Sequence, residues 1–204
     1  VRVVGDTIAS IGSDAPQAGD RVVDGAGLVI APGFIDVHNH STDGIATDRA
    51  AATQVAQGIT TVLVGPDGSS PPSIAAYLAA RRASPATLNV ATLIGHATVR
   101  TQVMGEDYRR PATQDEVARM AALVDTGMRE GAFGLSSGLE YVVGSYATTD
   151  EVVALAKAAA EPAERRVASE VRVHVIVANR EAGAADVGLA EVGENAAVLG
   201  PPPF

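Results

Sequence analysis

From Pro32-Gly33 onward the chain alternates short apolar runs with helical patterns, and this alternation restricts the fold more than any other feature. Phe34 to Val37 reads as a strand, followed by a helix near Thr47 to Gln57 that Gly58 closes. Ile59 to Val64 is an apolar strand, followed by a helix from Pro72 to about Ala83. Leu88 to Ile94 is a third strand. After a loop containing Gly105, a helix runs from Gln114 to Glu130 and starts with the capping box Thr113-x-x-Glu116. Ala132 to Leu135 is a short fourth strand, and Thr148-x-x-Glu151 caps a helix that runs to about Ala160. Strand–helix units in series imply a parallel sheet with right-handed crossovers.

The flanks differ. Val1 to Val4 and Thr7 to Ile11 are β-type runs joined by Gly5-Asp6, which reads as a hairpin. Arg21 to Asp24 and Leu28 to Ala31 repeat the pattern around Gly25-Ala26-Gly27. After Glu161-Pro162 the text turns irregular. Val167 to Val177 alternates as a strand would, Ala182 to Val192 is rich in Gly and Ala, and Pro201 to Phe204 reads as a loose tail.

Composition narrows the function classes. The 204 residues carry 24 acidic and 15 basic side chains, a net charge of −9, and the basic residues are scattered. That disfavours nucleic acid and anionic membranes as partners. Cysteine is absent, which excludes disulfides and thiolate metal sites. No apolar run approaches the roughly 18 residues of a membrane span, and the start shows no signal pattern. A soluble, cytoplasmic protein is the expectation.

Chemistry collects where the strands end. Strand one ends at His38-Asn39-His40, strand two at Asp67, strand three at His96, and strand four runs into Ser136-Ser137-Gly138-Leu139-Glu140-Tyr141. In a β/α barrel the C-terminal strand ends converge on one face, where active sites form. Residues two apart on a strand point to the same side, so His38 and His40 can reach one divalent ion. Asp67 offers a carboxylate oxygen to the same ion, or serves as a turn residue in Pro66-Asp67-Gly68. Glu140 is a further candidate ligand, against an ordinary solvated glutamate. His96 can bind metal, orient a substrate carboxylate together with Arg100, or simply hydrogen-bond within its loop. Tyr141 and the serine pair are candidates for substrate contact. No general base or other catalytic residue is identified. Zinc, as one or two ions, or another divalent metal would activate water and polarise a carbonyl, which is the chemistry of amide hydrolysis.

The run Ala31-Pro32-Gly33-Phe34-Ile35-Asp36-Val37-His38-Asn39-His40 resembles the opening metal motif of the amidohydrolase superfamily, and Gly58 to Gly65 resembles its second strand. Gly95-His96 through Arg100, Met128 through Tyr141, and Tyr146-Ala147-Thr148 with the helix after it are similar to the N-acyl-D-amino-acid deacylases. The resemblance covers roughly residues 1 to 160. It implies an α/β fold: a partial (β/α) TIM-type barrel of about four units over residues 32–165, and a small β-sandwich piece over residues 1–31. Residues 166–204 would then be irregular or a late sandwich strand with a loose tail. The resemblance makes His38 and His40 metal ligands and an N-acylated amino acid the substrate. Family members often carry Cys as a ligand at the end of strand two. Here Asp67 stands near that place, a hard oxygen for a soft sulfur.

The resemblance breaks after residue 160. Where the family's fifth strand reads Ser-His-x-Arg, this chain has Ser169-Glu170-Val171-Arg172. His174 fits neither of the later motifs, and the sixth-strand His and eighth-strand Asp have no counterpart. A complete barrel takes about 250 residues. The expectation is a fragment, an internally deleted form, or half of a homo-oligomer that completes the barrel. Three functions compete: hydrolysis of linear N-acyl-D-amino acids, a catalytically incomplete remnant used for binding or dimerisation, and hydrolysis of cyclic amides (dihydroorotase- or hydantoinase-like) or dipeptides.

Overall fold

The computed structural model describes residues 1–5, 7–163, 174–179, 187–191 and 197–199. The described chain divides into two compact units. The first holds residues 1–35 and 51–61 together with the strands described beyond residue 173. The second holds residues 36–50 and 62 onward through the last long helix.

In the first unit, β1 (Arg2–Val4) and β2 (Thr7–Ser10) pair antiparallel, Val3 opposite Ile8 and Val4 opposite Thr7. β3 (Arg21–Val23) and β4 (Leu28–Pro32) do not form a second hairpin. A turn closed by Leu28 N–H to the Gly25 carbonyl (2.9 Å) sends them into different sheets. The partners come from the far end of the chain. β10 (His174–Asn179) pairs antiparallel with β4, and on its other side with β11 (Val187–Glu191). β12 (Ala197–Leu199) lies antiparallel to β1 and parallel to β3. Long-range pairing thus makes strands of β11 and β12, where local text reads as irregular. Ser169-Glu170-Val171-Arg172 and the tail Pro201 to Phe204 lie outside the described residues.

β5 (Phe34–Asn39), β6 (Ile59–Val64) and β7 (Asn89–Thr92) form a three-stranded sheet in that order. β6 alternates, with Thr60, Val62 and Val64 buried. β5 is more open, and Phe34, Ile35 and Val37 are each more than half exposed. The single helix expected near residues 47–57 is instead two short turns, α1 (Gly44–Thr47) and α2 (Ala52–Val55). The break has a local cause. The Asp48 carboxylate accepts from Ala50 N–H at 3.2 Å, and Ala51 takes a left-handed φ of 46°.

The second unit carries the main core. α3 (Ile74–Ala83) is capped by Ser73, whose hydroxyl accepts from Ala76 N–H at 3.2 Å. The segment read as a loop before Gly105 is a helix, α4 (His96–Met104), with His96, Val99, Arg100 and Met104 buried along one face. α5 (Gln114–Glu130) keeps its capping box: Glu116 N–H donates to Thr113 Oγ1, and Thr113 N–H donates to the Glu116 carboxylate at 2.7 Å. Arg110 grips that carboxylate with both guanidinium nitrogens and, with the Thr113 amide, holds it down to about 2. The third strand expected from Leu88 to Ile94 is divided, β7 ending at Thr92 and β8 (Ile94–Gly95) pairing in parallel with β9 (Leu135–Ser136). α6 (Thr149–Ala163) packs on α5. Ile74, Ile94, Val99, Met120, Val124, Met128 and Leu155 form the centre. Among the described residues, no helix is long and apolar enough to cross a membrane.

Met120 is fully buried in this cluster. Met120→Ala is expected to lower the unfolding free energy by about 2–5 kcal/mol, read by urea denaturation. A change within about 0.5 kcal/mol, typical of a surface position, would contradict the packing.

Candidate metal centre

β5 carries His38, and His40 follows directly after its last residue, Asn39, so the two-residue spacing puts both imidazoles on one side. Its end is secured locally. Asp36 accepts from His38 N–H at 3.1 Å and from the Asn39 side-chain amide at 2.8 Å. Asn39 is buried and its carbonyl oxygen accepts from Ser41 N–H at 2.9 Å. The His38 and His40 rings stand 5.2 Å apart at 59°, and their Nε2 atoms approach to 3.3 Å.

Asp67 arrives from the turn that follows β6. Ser69 N–H donates to the Pro66 carbonyl at 3.1 Å, and Asp67 and Gly68 take φ values of 56° and 81°. Both central residues of this turn therefore have positive φ, a conformation Asp tolerates better than most side chains. Ser136 at the end of β9 closes on the same turn: its hydroxyl donates to the Gly65 carbonyl at 2.6 Å and accepts from Gly68 N–H at 3.1 Å. So held, Asp67 Oδ2 lies 3.3 Å from His38 Nε2 and 3.2 Å from His40 Nε2.

Three ligand-type atoms thus form a nearly equilateral triangle. Ligands at roughly 2.0–2.1 Å from a tetrahedral zinc stand about 3.3–3.4 Å from one another. The triangle therefore has the size of one face of such a site. Two imidazoles and a carboxylate also suit a divalent ion in ligand type. Among the described residues no other group of His and carboxylates meets this geometry.

The other sequence candidates are placed differently. Tyr141 is half exposed; the nearby Asp67 charge, aided by burial and by Glu140, pushes its phenol up from its ordinary value. Glu140 is exposed and stands outside the triangle. His96 and Arg100 are fully buried one turn apart on α4. His96 bonds Ser137 Oγ through Nδ1 and Glu151 Oε1 through Nε2, each at 2.9 Å. Arg100 Nη1 donates to both Glu151 oxygens, and Nη2 donates to the Tyr108 and Arg110 carbonyls. These contacts occupy both groups inside the protein, and neither belongs to the triangle.

Glu151 itself escaped the sequence reading because its motif has a second explanation. Its amide does donate to Thr148 Oγ1 at 3.2 Å, as a helix start requires. The carboxylate does not close the capping box and instead neutralises Arg100. Ser136 left no signal beyond its place at a strand end.

The amidohydrolase family profile matches residues 21–191. The chain belongs to the amidohydrolase family. It is 38% identical over 174 residues to the D-aminoacylase of Alcaligenes xylosoxydans xylosoxydans, covering 74% of this chain and 36% of that one. Among solved structures, a D-aminoacylase studied for its binuclear metal centre matches with a TM-score of 0.69 and 33% identity, over 76% of this chain and 37% of that one. The N-acyl-D-glutamate deacylase of Bordetella bronchiseptica, bound to zinc and a phosphonate mimic of the tetrahedral intermediate, matches with a TM-score of 0.66 and 34% identity, over 71% of this chain and 34% of that one. The chain therefore spans 34% to 37% of the length of these proteins. The likeness assigns the architecture to the amidohydrolase barrel type.

Glu151 carries a pH prediction. Burial alone would push its carboxyl up, but the bonds and charges of His96 and Arg100 outweigh burial and hold it below the ordinary 4.5. A depressed native pKa contributes stability that is present above the ordinary value and lost as pH falls through the native one. Urea denaturation between about pH 7 and about pH 3 should show a shallower loss of stability in Glu151→Gln than in the parent. At neutral pH Glu151→Gln should already be destabilised by about 3–5 kcal/mol, because Arg100 loses its buried counter-charge. An unchanged neutral stability would refute that account.

Proposed function

We propose that the chain carries the first-strand metal site of a zinc-dependent hydrolase that cleaves the linear amide of N-acyl-D-amino acids. The observation that supports this most is the 3.2–3.3 Å triangle of His38, His40 and Asp67. The named relatives support the substrate class. When bound, a divalent ion supplies a Lewis acid for an acyl carbonyl and activates water. His38 and His40 would hold the ion through their ring nitrogens, and Asp67 would balance part of its charge. Tyr141 lies close enough to Asp67 to feel its charge and is half exposed, so it is placed to meet a substrate beside the ion. His96 and Arg100 then act as framework rather than as substrate contacts, and Glu140 lies beyond ligand reach.

A second reading, a metal-binding module without turnover, is favoured by a different observation. The triangle offers three ligand atoms, and the His38 and His40 side chains are 58% and 66% exposed. An open rim of this kind does not by itself exclude water from a reaction.

Zinc titration of the metal-free chain, followed by assays on N-acetyl-D- and N-acetyl-L-amino acids and on cyclic amides, separates these readings. The proposal expects one zinc per chain, lost in His38→Ala, His40→Ala and Asp67→Ala, with D-selective hydrolysis of the linear amide. Zinc binding without turnover supports the module instead, and no zinc binding removes both. Asp67→Cys provides a separate check: a thiolate in place of the carboxylate should raise affinity for cadmium relative to manganese. An unchanged cadmium-to-manganese preference would show that Asp67 does not touch the ion.

A further inference from the structure

We infer that Ser136 is a positioning residue for Asp67, clamping its turn so that the carboxylate meets the two histidines. This inference rests on the metal reading proposed above. Ser136 is 8% exposed and lies 71 residues from Gly65 and 68 from Gly68, so no local rule brings them together. One hydroxyl can donate once and accept as well. Ser136 uses both capacities on one turn, donating to the Gly65 carbonyl and accepting from the Gly68 amide. The two bonds bracket Pro66-Asp67.

The conformation of the bracketed turn shows what the clamp would select. Asp67 holds a φ of 56°, between Gly65 at 82° and Gly68 at 81°. Asp enters that region more readily than most side chains, and the bonds around it decide which turn it joins. Other contacts wall the turn, from backbone and from the side chains of Ser70, Thr92 and Ala97. Thr98 N–H donates to the Gly68 carbonyl at 3.1 Å, and Gly138 lies so close to the Asp67 carbonyl that a Cβ there would overlap it. These walls limit where the turn can go. Ser136 adds the two directional side-chain bonds that span Asp67 itself. Without the hydroxyl, a buried carbonyl and amide lose their partner, the turn relaxes, and the carboxylate leaves the triangle.

The test is a double-mutant cycle on zinc affinity, measured on the full chain by competition with a chromophoric chelator. Ser136→Ala should weaken zinc binding by about 10–100-fold, the range for partners that orient a ligand. Asp67→Ala should weaken it too. The pair together should be no weaker than Asp67→Ala alone, because Ser136 acts only through that carboxylate. Equal weakening by Ser136→Ala with and without Asp67 would assign it a general structural role and overturn the inference. Wild-type affinity in Ser136→Ala would overturn it as well, and would leave the metal reading intact. Failure of the parent chain to bind zinc would remove both. A metal-free measurement on the parent covers a variant that does not fold. The Gly68 amide should exchange with deuterium slowly, and exchange as fast as an exposed loop amide would overturn the clamp.

Discussion

The buried pairing of Arg100 with Glu151 is the interaction on which the second unit depends. Both side chains are fully buried. Two charges removed from water cost several kcal/mol each, so the protein must satisfy them from several directions. It does so with His96 from the same turn of α4, and with the Tyr108 and Arg110 carbonyls from the segment before α5. Once these partners are required, α4, the 108–110 segment and the start of α6 cannot move independently. An ion pair of this kind adds little net stability compared with an apolar core. Its effect is geometric, since a misplaced element would strand a charge.

The network also reaches toward the metal candidates. His96 bonds Ser137, and its neighbour Ser136 closes on the Gly65–Gly68 turn. Adjacent residues at a strand end point in opposite directions. One serine therefore faces the buried charges and the other faces the turn that presents Asp67. The surroundings of β5 are different. Its two histidines are exposed and are held mainly by local bonds among Asp36, Asn39 and Ser41. The triangle joins a locally braced strand end to a turn held by long-range contacts.

Much of this architecture is legible from short-range rules. The α5 boundaries follow from Thr113-x-x-Glu116 and the spacing of Met120, Val124 and Met128, because capping and 3.6-residue periodicity are local physics. The first hairpin and β6 follow in the same way. Where the reading failed, a distant partner or a small backbone event decided. α4 carries polar residues, His96 and Arg100, on its buried face, so its periodicity reads as a loop until Glu151 is placed against them. The helix expected at residues 47–57 breaks over one Asx turn and one left-handed alanine. β3 and β4 look like a hairpin, yet they are claimed by strands from the other end of the chain.

The sequence by itself determined the family, the serial strand–helix order and the candidacy of His38, His40 and Asp67. Each of these is carried by residues close together in the chain, where alternation and capping act. Only the tertiary structure decided which candidates meet. It brought Asp67 to 3.2–3.3 Å from both histidines, and it placed His96 and Arg100 in a buried network against Glu151. Both groups are polar residues at strand ends, and local pattern cannot tell them apart. The difference lies in burial. A buried Arg must be neutralised by a carboxylate, whereas a pair of exposed imidazoles bears no such desolvation cost and needs no buried partner.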